Sequence, residues 1–149
     1  MRIKILSVVI GGLALLAATV PAASATPPLQ VSIEDVVETS GHGDFVASGP
    51  AVDAGVMCKS GTTAVLWFRR TDASPDRAIL RIKKVATCDD GSGTINVNMR
   101  VFLDLNTGGT TAKWHFHGGT GDYTRLRGTG NLVGIPGESF LDLYSGQVH

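Results

Sequence analysis

The sequence predicts an all-β domain, a single eight-stranded antiparallel up-and-down β-barrel. Three observations predict it. No sustained helical period runs through the chain after its first residues. Segments of alternating apolar and polar residues recur instead, and short glycine-rich links separate them. Such links imply antiparallel meander pairing, and closing the sheet removes its edges. A two-sheet β-sandwich is the alternative. Cys58 and Cys88 are too close in sequence for the bridge that spans most of an immunoglobulin-type domain, which favours the barrel.

The chain starts with a segment of different character. Arg2 and Lys4 form a basic start, Ile5 to Val20 is an apolar run, and Ala23-Ser24-Ala25 is a small-x-small site. Residues 1–25 therefore read as a signal peptide, cleaved between Ala25 and Thr26. The apolar run is shorter than the roughly 20 residues a spanning helix needs. With no cysteine at the cleavage site and no hydrophobic tail, the expected product is secreted, soluble and without a membrane anchor.

Residues 26–149 form one domain of 124 residues, 149 minus 25. They hold 11 Lys+Arg (13 minus Arg2 and Lys4) against 13 Asp+Glu. A net charge of −2 gives no electrostatic reason to expect nucleic acid or an anionic membrane as partner. In an oxidising compartment Cys58 and Cys88 most simply pair as a disulfide.

The strands follow in order. Gln30 to Glu38 and Gly43 to Ser48 read as a first pair around "TSGHG". Gly49 to Gly61 is the one long irregular stretch, and Cys58 lies in it. Thr62 to Arg70 is apolar on both faces at Val65 to Phe68, which suggests cover on both sides. Arg77 to Cys88 follows the turn "TDASPD". Thr94 to Leu105 is the clearest strand: Ile95, Val97, Met99, Val101, Leu103 and Leu105 alternate with polar residues and Phe102. Thr110 to Gly118, Arg127 to Gly134 and Ser139 to Val148 complete the set. A barrel of eight strands has an interior that side chains fill, or that holds one small ligand.

The stretch "WHFHGGTGDYTRLRGTG" is the densest in chemistry. His115 and His117, two apart on a strand, share a face and are the only candidate metal pair. Ala112, Trp114 and Phe116 claim the core face, which sends the histidines outward beside Lys113, a cation that repels metal. No metal and no cofactor is expected. No Gly-x-Ser-x-Gly is present, and the pairs Glu34-Asp35 and Asp89-Asp90 do not mark a catalytic site; catalytic residues stay unassigned. Gly118, Gly119, Thr120, Gly121, Asp122, Tyr123 and Gly128 read as a glycine turn between two strands.

"GGTGDYTRLRGTG" resembles the Gly-Gly-Thr-Gly-x-aromatic segment of the allene oxide cyclase and dirigent barrels. Together with "ASGPAVDAGVMC" and "TCDDGSGT" it is also similar to small secreted bacterial proteins of unknown function. The resemblance implies an eight-stranded barrel with an apolar cavity. The motif marks a structural turn in those families, so it carries over no catalytic residue.

Three functions compete. The first is binding of a small hydrophobic or amphipathic molecule in the interior, with Trp67, Met99, Trp114 and Phe116 as pocket candidates. The second is an enzyme of the cyclase or isomerase kind that steers a cyclisation or coupling by confinement. Asp122, Tyr123 or Arg125 would supply its polar groups near the barrel mouth. The third is an extracellular interaction or structural protein using an outer apolar patch, Phe102 with Val65 to Phe68. An ionisable residue buried among apolar cavity walls is the feature that distinguishes chemistry from simple binding.

Overall fold

The computed structural model describes residues 27–149. The expected signal peptide and its expected cleavage site at Ala25 and Thr26 lie outside the described residues. Eight antiparallel strands close into one barrel in chain order: β1 Leu29–Val37, β2 His42–Ser48, β3 Ser60–Ser74, β4 Arg77–Cys88, β5 Thr94–Asp104, β6 Thr110–Gly119, β7 Arg127–Ile135 and β8 Phe140–Val148. The closing pair is β1 with β8, in register from Leu29 opposite Val148 to Val37 opposite Phe140.

Alternation sets the inward faces of β1, β5 and β6. In β1 Val31, Ile33, Asp35 and Val37 turn inward while Ser32, Glu34 and Val36 face out. In β5 the inward set is Ile95, Val97, Met99 and Val101, and in β6 it is Ala112, Trp114 and Phe116. The outer wall carries Glu34, Arg81, Lys83, Arg100 and Lys113. No helix among the described residues is long and apolar enough to cross a membrane.

The two ends of the barrel differ. One end carries the β2–β3 connection, the β4–β5 turn and the β6–β7 turn. Its β2–β3 connection contains the short helix α1, Pro50–Asp53, and folds inward with Ala51 and Met57 buried. Below this cap Trp114, Phe116 and Tyr144 pack together, with the indole 4.5 Å from the Phe116 ring and 6.2 Å from the Tyr144 ring. Trp114 is fully buried because two glycines make room for it. Gly130 and Gly146 face each other on β7 and β8, and a Cβ on either would lie 2.5 or 2.4 Å from indole Cζ2. The indole N–H donates to the Asn131 carbonyl at 2.9 Å.

Cys58 and Cys88 pair as a disulfide at this closed end, with Cα atoms 6.0 Å apart. The bridge ties the α1 connection to the end of β4. The other end, where β1–β2, β3–β4, β5–β6 and β7–β8 turn, has no such cap among the described residues.

One expectation is corrected here. The Val65 to Phe68 run is not covered on both sides. β2 pairs with β3 only as far as Ala64, so beyond that residue β3 has β4 as its single neighbour. A bulge between Val65 and Trp67 shifts the register, and Leu66, Trp67 and Phe68 are 65%, 45% and 62% exposed.

Two outcomes follow for stability. Replacing Cys58 and Cys88 together by serine should cost about 2–4 kcal/mol in denaturant unfolding. Gly146→Ala should destabilise by about 1–3 kcal/mol or more, because the new methyl meets Trp114 and the Thr129 carbonyl. A Gly146→Ala protein as stable as the parent would contradict the packing described for Trp114.

Candidate functional site

The interior is divided by one side chain. Lys84 projects inward from β4, which lies four strands from β8 in an eight-stranded barrel, so its ammonium reaches across to the opposite wall. There Nζ donates to Asp35 Oδ2 at 3.0 Å, Asp142 Oδ2 at 3.2 Å and Tyr144 Oη at 3.3 Å. All three ammonium hydrogens thus have acceptors. Thr63 Oγ1 donates to the second Asp35 oxygen at 2.8 Å, and the Tyr144 hydroxyl donates to Met99 Sδ at 3.5 Å.

Position explains each member. Asp35 lies in phase with Val31, Ile33 and Val37, so the pleat that buries them buries it too. Asp142 and Tyr144 are neighbours on the inward face of β8, and cross-strand pairing sets them opposite Asp35 and Ile33. Lys84 lies in phase with Ile82 and Ala86. The outward partner Lys83 covers the Trp67 ring at 5.8 Å instead.

On the closed side of Lys84 the interior is filled. A space of only about 20 Å³ remains there, among Ile33, Phe45, Met57, Val97, Phe116 and their neighbours. On the open side lies a cavity of about 190 Å³. Its walls are Val37, Val65, Leu80, Ile82, Met99, Val101, Leu103, Leu132 and Phe140, with Thr110 at the side and Lys84 and Asp142 at the floor. The site is an apolar cup with an ionic base.

The electrostatics follow from burial and pairing. Burial alone pushes the Lys84 ammonium down, but the Tyr144 oxygen and the carboxylates of Asp35 and Asp142 outweigh it and hold the group above the usual lysine value. Burial pushes the Tyr144 hydroxyl well up, so it stays neutral. Burial also raises the Asp142 carboxyl; Lys84 opposes that shift and the charge of Asp35 adds to it. Asp142 therefore holds its proton more tightly than a free aspartate does.

The residues singled out in the sequence fall in different places. Met99 lines the cavity. Trp114 and Phe116 are interior but belong to the filled half. Trp67 does not line the interior cavity: it stands on the outer wall, turned out with Lys83 by the β3–β4 register, and borders a surface hollow with Arg81 and Arg100. His115 and His117 are exposed on the outer face of β6, and no group of three metal-ligating side chains gathers among the described residues.

Gly118 and Gly119 end β6, Gly128 lies at the start of β7, and the residues between them form the turn at the closed end. Gly121 has φ +60° and starts a 3-10 turn through Tyr123; a Cβ there would lie 2.1 Å from the Ser92 carbonyl. Thr120 Oγ1 accepts from the Thr94 N–H at 3.1 Å, and Tyr123 is buried with its hydroxyl 2.8 Å from Ser92 Oγ. Asp122, Tyr123 and Arg125 thus sit at the end opposite the open mouth and contribute no polar group to the cavity. Of the ionic floor, the sequence offers only Asp35, in the pair Glu34-Asp35 that was set aside; Lys84, Asp142 and Tyr144 were not singled out. A signal existed in the phase of Asp35 and in the adjacent lysines of "RIKKVA", one of which must face in.

Comparison with protein-family models, with curated proteins and with solved structures finds no match.

Removing Lys84 should expose the cost of the floor. Lys84→Met leaves Asp35 buried without a counter-charge and should lower stability by about 3–5 kcal/mol in urea unfolding. Asp142 tests the electrostatics by pH. Its folded carboxyl holds its proton more tightly than the unfolded one. Its share of stability is therefore full below the unfolded value, near 3.9, and is lost as pH rises through the folded value. The stability of the parent relative to Asp142→Asn should fall as pH is raised from about 4 and then level off. A difference that grows in the parent's favour with rising pH would contradict the assignment.

Proposed function

We propose that the protein is a secreted β-barrel that binds a small, largely apolar molecule in the open half of its interior. The observation that carries this reading is the 190 Å³ cavity above Lys84, walled by aliphatic side chains and open at one end. A dry cavity of about 150 Å³ already accepts benzene. The cup is therefore sized for roughly one ring with a few substituents, or for one end of a longer molecule.

The floor supports an amphipathic rather than a purely hydrocarbon ligand. Lys84 is saturated by its three acceptors, and Asp142 is the charged side chain of the floor that retains some exposure, 14%. A ligand lying with its apolar part against Leu80, Val101 and Leu132 would bring a polar end to Asp142.

A second reading is favoured by a specific observation. Ionisable groups at the base of an apolar cavity are the arrangement expected of a site that performs chemistry. Lys84 and Asp142 would supply polarity to an enzyme that steers a cyclisation or coupling by confinement. The likeness of "GGTGDYTRLRGTG" to the allene oxide cyclase and dirigent barrels agrees with this reading, although that segment lies at the closed end. Export of the chain is supported by its first 25 residues and by the disulfide.

The pocket is testable with simple probes. Toluene and benzyl alcohol, titrated into methyl-labelled protein, should shift the signals of Leu80, Val101 and Leu132 and leave those of Val31 and Val148 at the closed end in place. Leu103→Trp, which plugs the mouth, should weaken both probes by about tenfold or more. Saturating probe with no change at the cavity methyls would end the binding reading.

A further inference from the structure

The net charge of the domain conceals a strongly segregated surface. Arg69, Arg81, Arg100 and Lys113 occupy β3, β4, β5 and β6, and each is directly opposite the next: Arg69 with Arg81, Arg81 with Arg100, Arg100 with Lys113. All four are exposed. The result is a row of four cations running across four adjacent strands of the outer wall.

Nothing acidic offsets the row. The outward positions on one side of it are Trp67, Lys83, Asn98 and His115, again in cross-strand register. On the other side are Thr71, Ile79, Phe102 and Thr111. The ion pairs found among the described residues are Arg70 with Asp72 and Lys84 with its two aspartates; none involves the row. Lys113 instead donates to the Asn131 side chain. Like charges directly opposite one another destabilise a sheet. This fold places three such pairs in succession, and β4, β5 and β6 are paired on both sides, so edge protection does not account for Arg81, Arg100 and Lys113.

We propose that this row is a binding site for an acidic polysaccharide, a linear sugar chain bearing carboxylate or sulfate groups. Charge complementarity requires a polyanion, and the shape of the wall selects among polyanions. The row crosses three of the barrel's eight interstrand steps, roughly 14 Å at the backbone and about three-eighths of a turn of a convex surface. A flat membrane meets only part of so curved a row, whereas a chain follows it. A single-stranded nucleic acid would draw on free aromatic faces for stacking. Here one ring flanks the row on each side, and each already has a cation near it: Lys83 sits 5.8 Å from the Trp67 ring centre and Arg100 5.3 Å from that of Phe102. What the wall presents is a continuous row of positive charge with a single ring on either side, not the series of aromatic faces on which successive bases stack. The site is on the outside of the barrel and is independent of the cavity.

The test uses the intact domain and fluorescence anisotropy with labelled polygalacturonate and heparin. Neutral dextran, oligo-dT and phosphatidylglycerol vesicles serve as comparisons. The expected result is binding to the acidic polysaccharides, none to dextran, and steep weakening with added salt. Arg81→Gln with Arg100→Gln should weaken that binding about tenfold or more. The same variant should melt no lower than the parent, since it relieves like-charge opposition. Absence of polysaccharide binding at low salt, or unchanged binding by the double variant, would overturn the proposal. Tighter binding of oligo-dT or vesicles than of either polysaccharide would overturn it as well. A variant that melts lower yet binds as the parent does would show the row to be structural.

Discussion

One buried ammonium organises the interior of this protein. Lys84 crosses from β4 to meet Asp35 on β1 and Asp142 and Tyr144 on β8, so a single side chain joins opposite walls of the barrel. Taking a lysine and two aspartates out of water is expensive, and the attraction between them repays this only with good geometry. The same network is a register device. A slip of one residue in β1, β4 or β8 would turn a charged group outward and its apolar neighbours with it. Specifying the closure of β1 on β8 is a role that an apolar core of the same volume would fill less sharply.

The crossbar also explains why the two halves of the interior differ. On one side large aromatic residues fill the space, and this is possible because β7 and β8 carry glycine at Gly130 and Gly146 where Trp114 lies. Tyr123, Leu126, Met57 and the disulfide close that end. On the other side the walls are aliphatic, the turns do not fold inward, and about 190 Å³ stays open. Rigidity and access are thus separated along the barrel axis. The disulfide and the glycine turn hold the closed end, and the cavity is at the end they leave free.

Much of the fold was legible because a half-buried strand writes its orientation into a period of two. Ile95 to Leu103 and Ala112 to Phe116 announce their inward faces directly, and the loop around Cys58 is marked by its lack of pattern. The polar interior was written in the same period but in the wrong alphabet. Asp35 keeps step with Val31, Ile33 and Val37, and Lys84 keeps step with Ile82 and Ala86. Rules that assign carboxylates and lysines to solvent pass over both. Trp67 failed in the opposite sense: its size suggested a core, yet the bulge at Val65 and the loss of β2 as a neighbour leave it outside. The cation row was beyond reach of the linear sequence, since Arg69, Arg81, Arg100 and Lys113 become a row only when the register of four strands is known.

The central claim is that Lys84 and its partners form the floor of an apolar cavity open to a small ligand. Diffraction from crystals pressurised with xenon tests it most directly, because xenon enters dry apolar spaces and avoids charged or filled ones. The expected result is one xenon site on the open side of Lys84, in contact with Leu80, Val101 and Leu132, and none among Trp114, Phe116 and Tyr144. Xenon absent from that space, or a Lys84 ammonium turned out to solvent, would contradict the account.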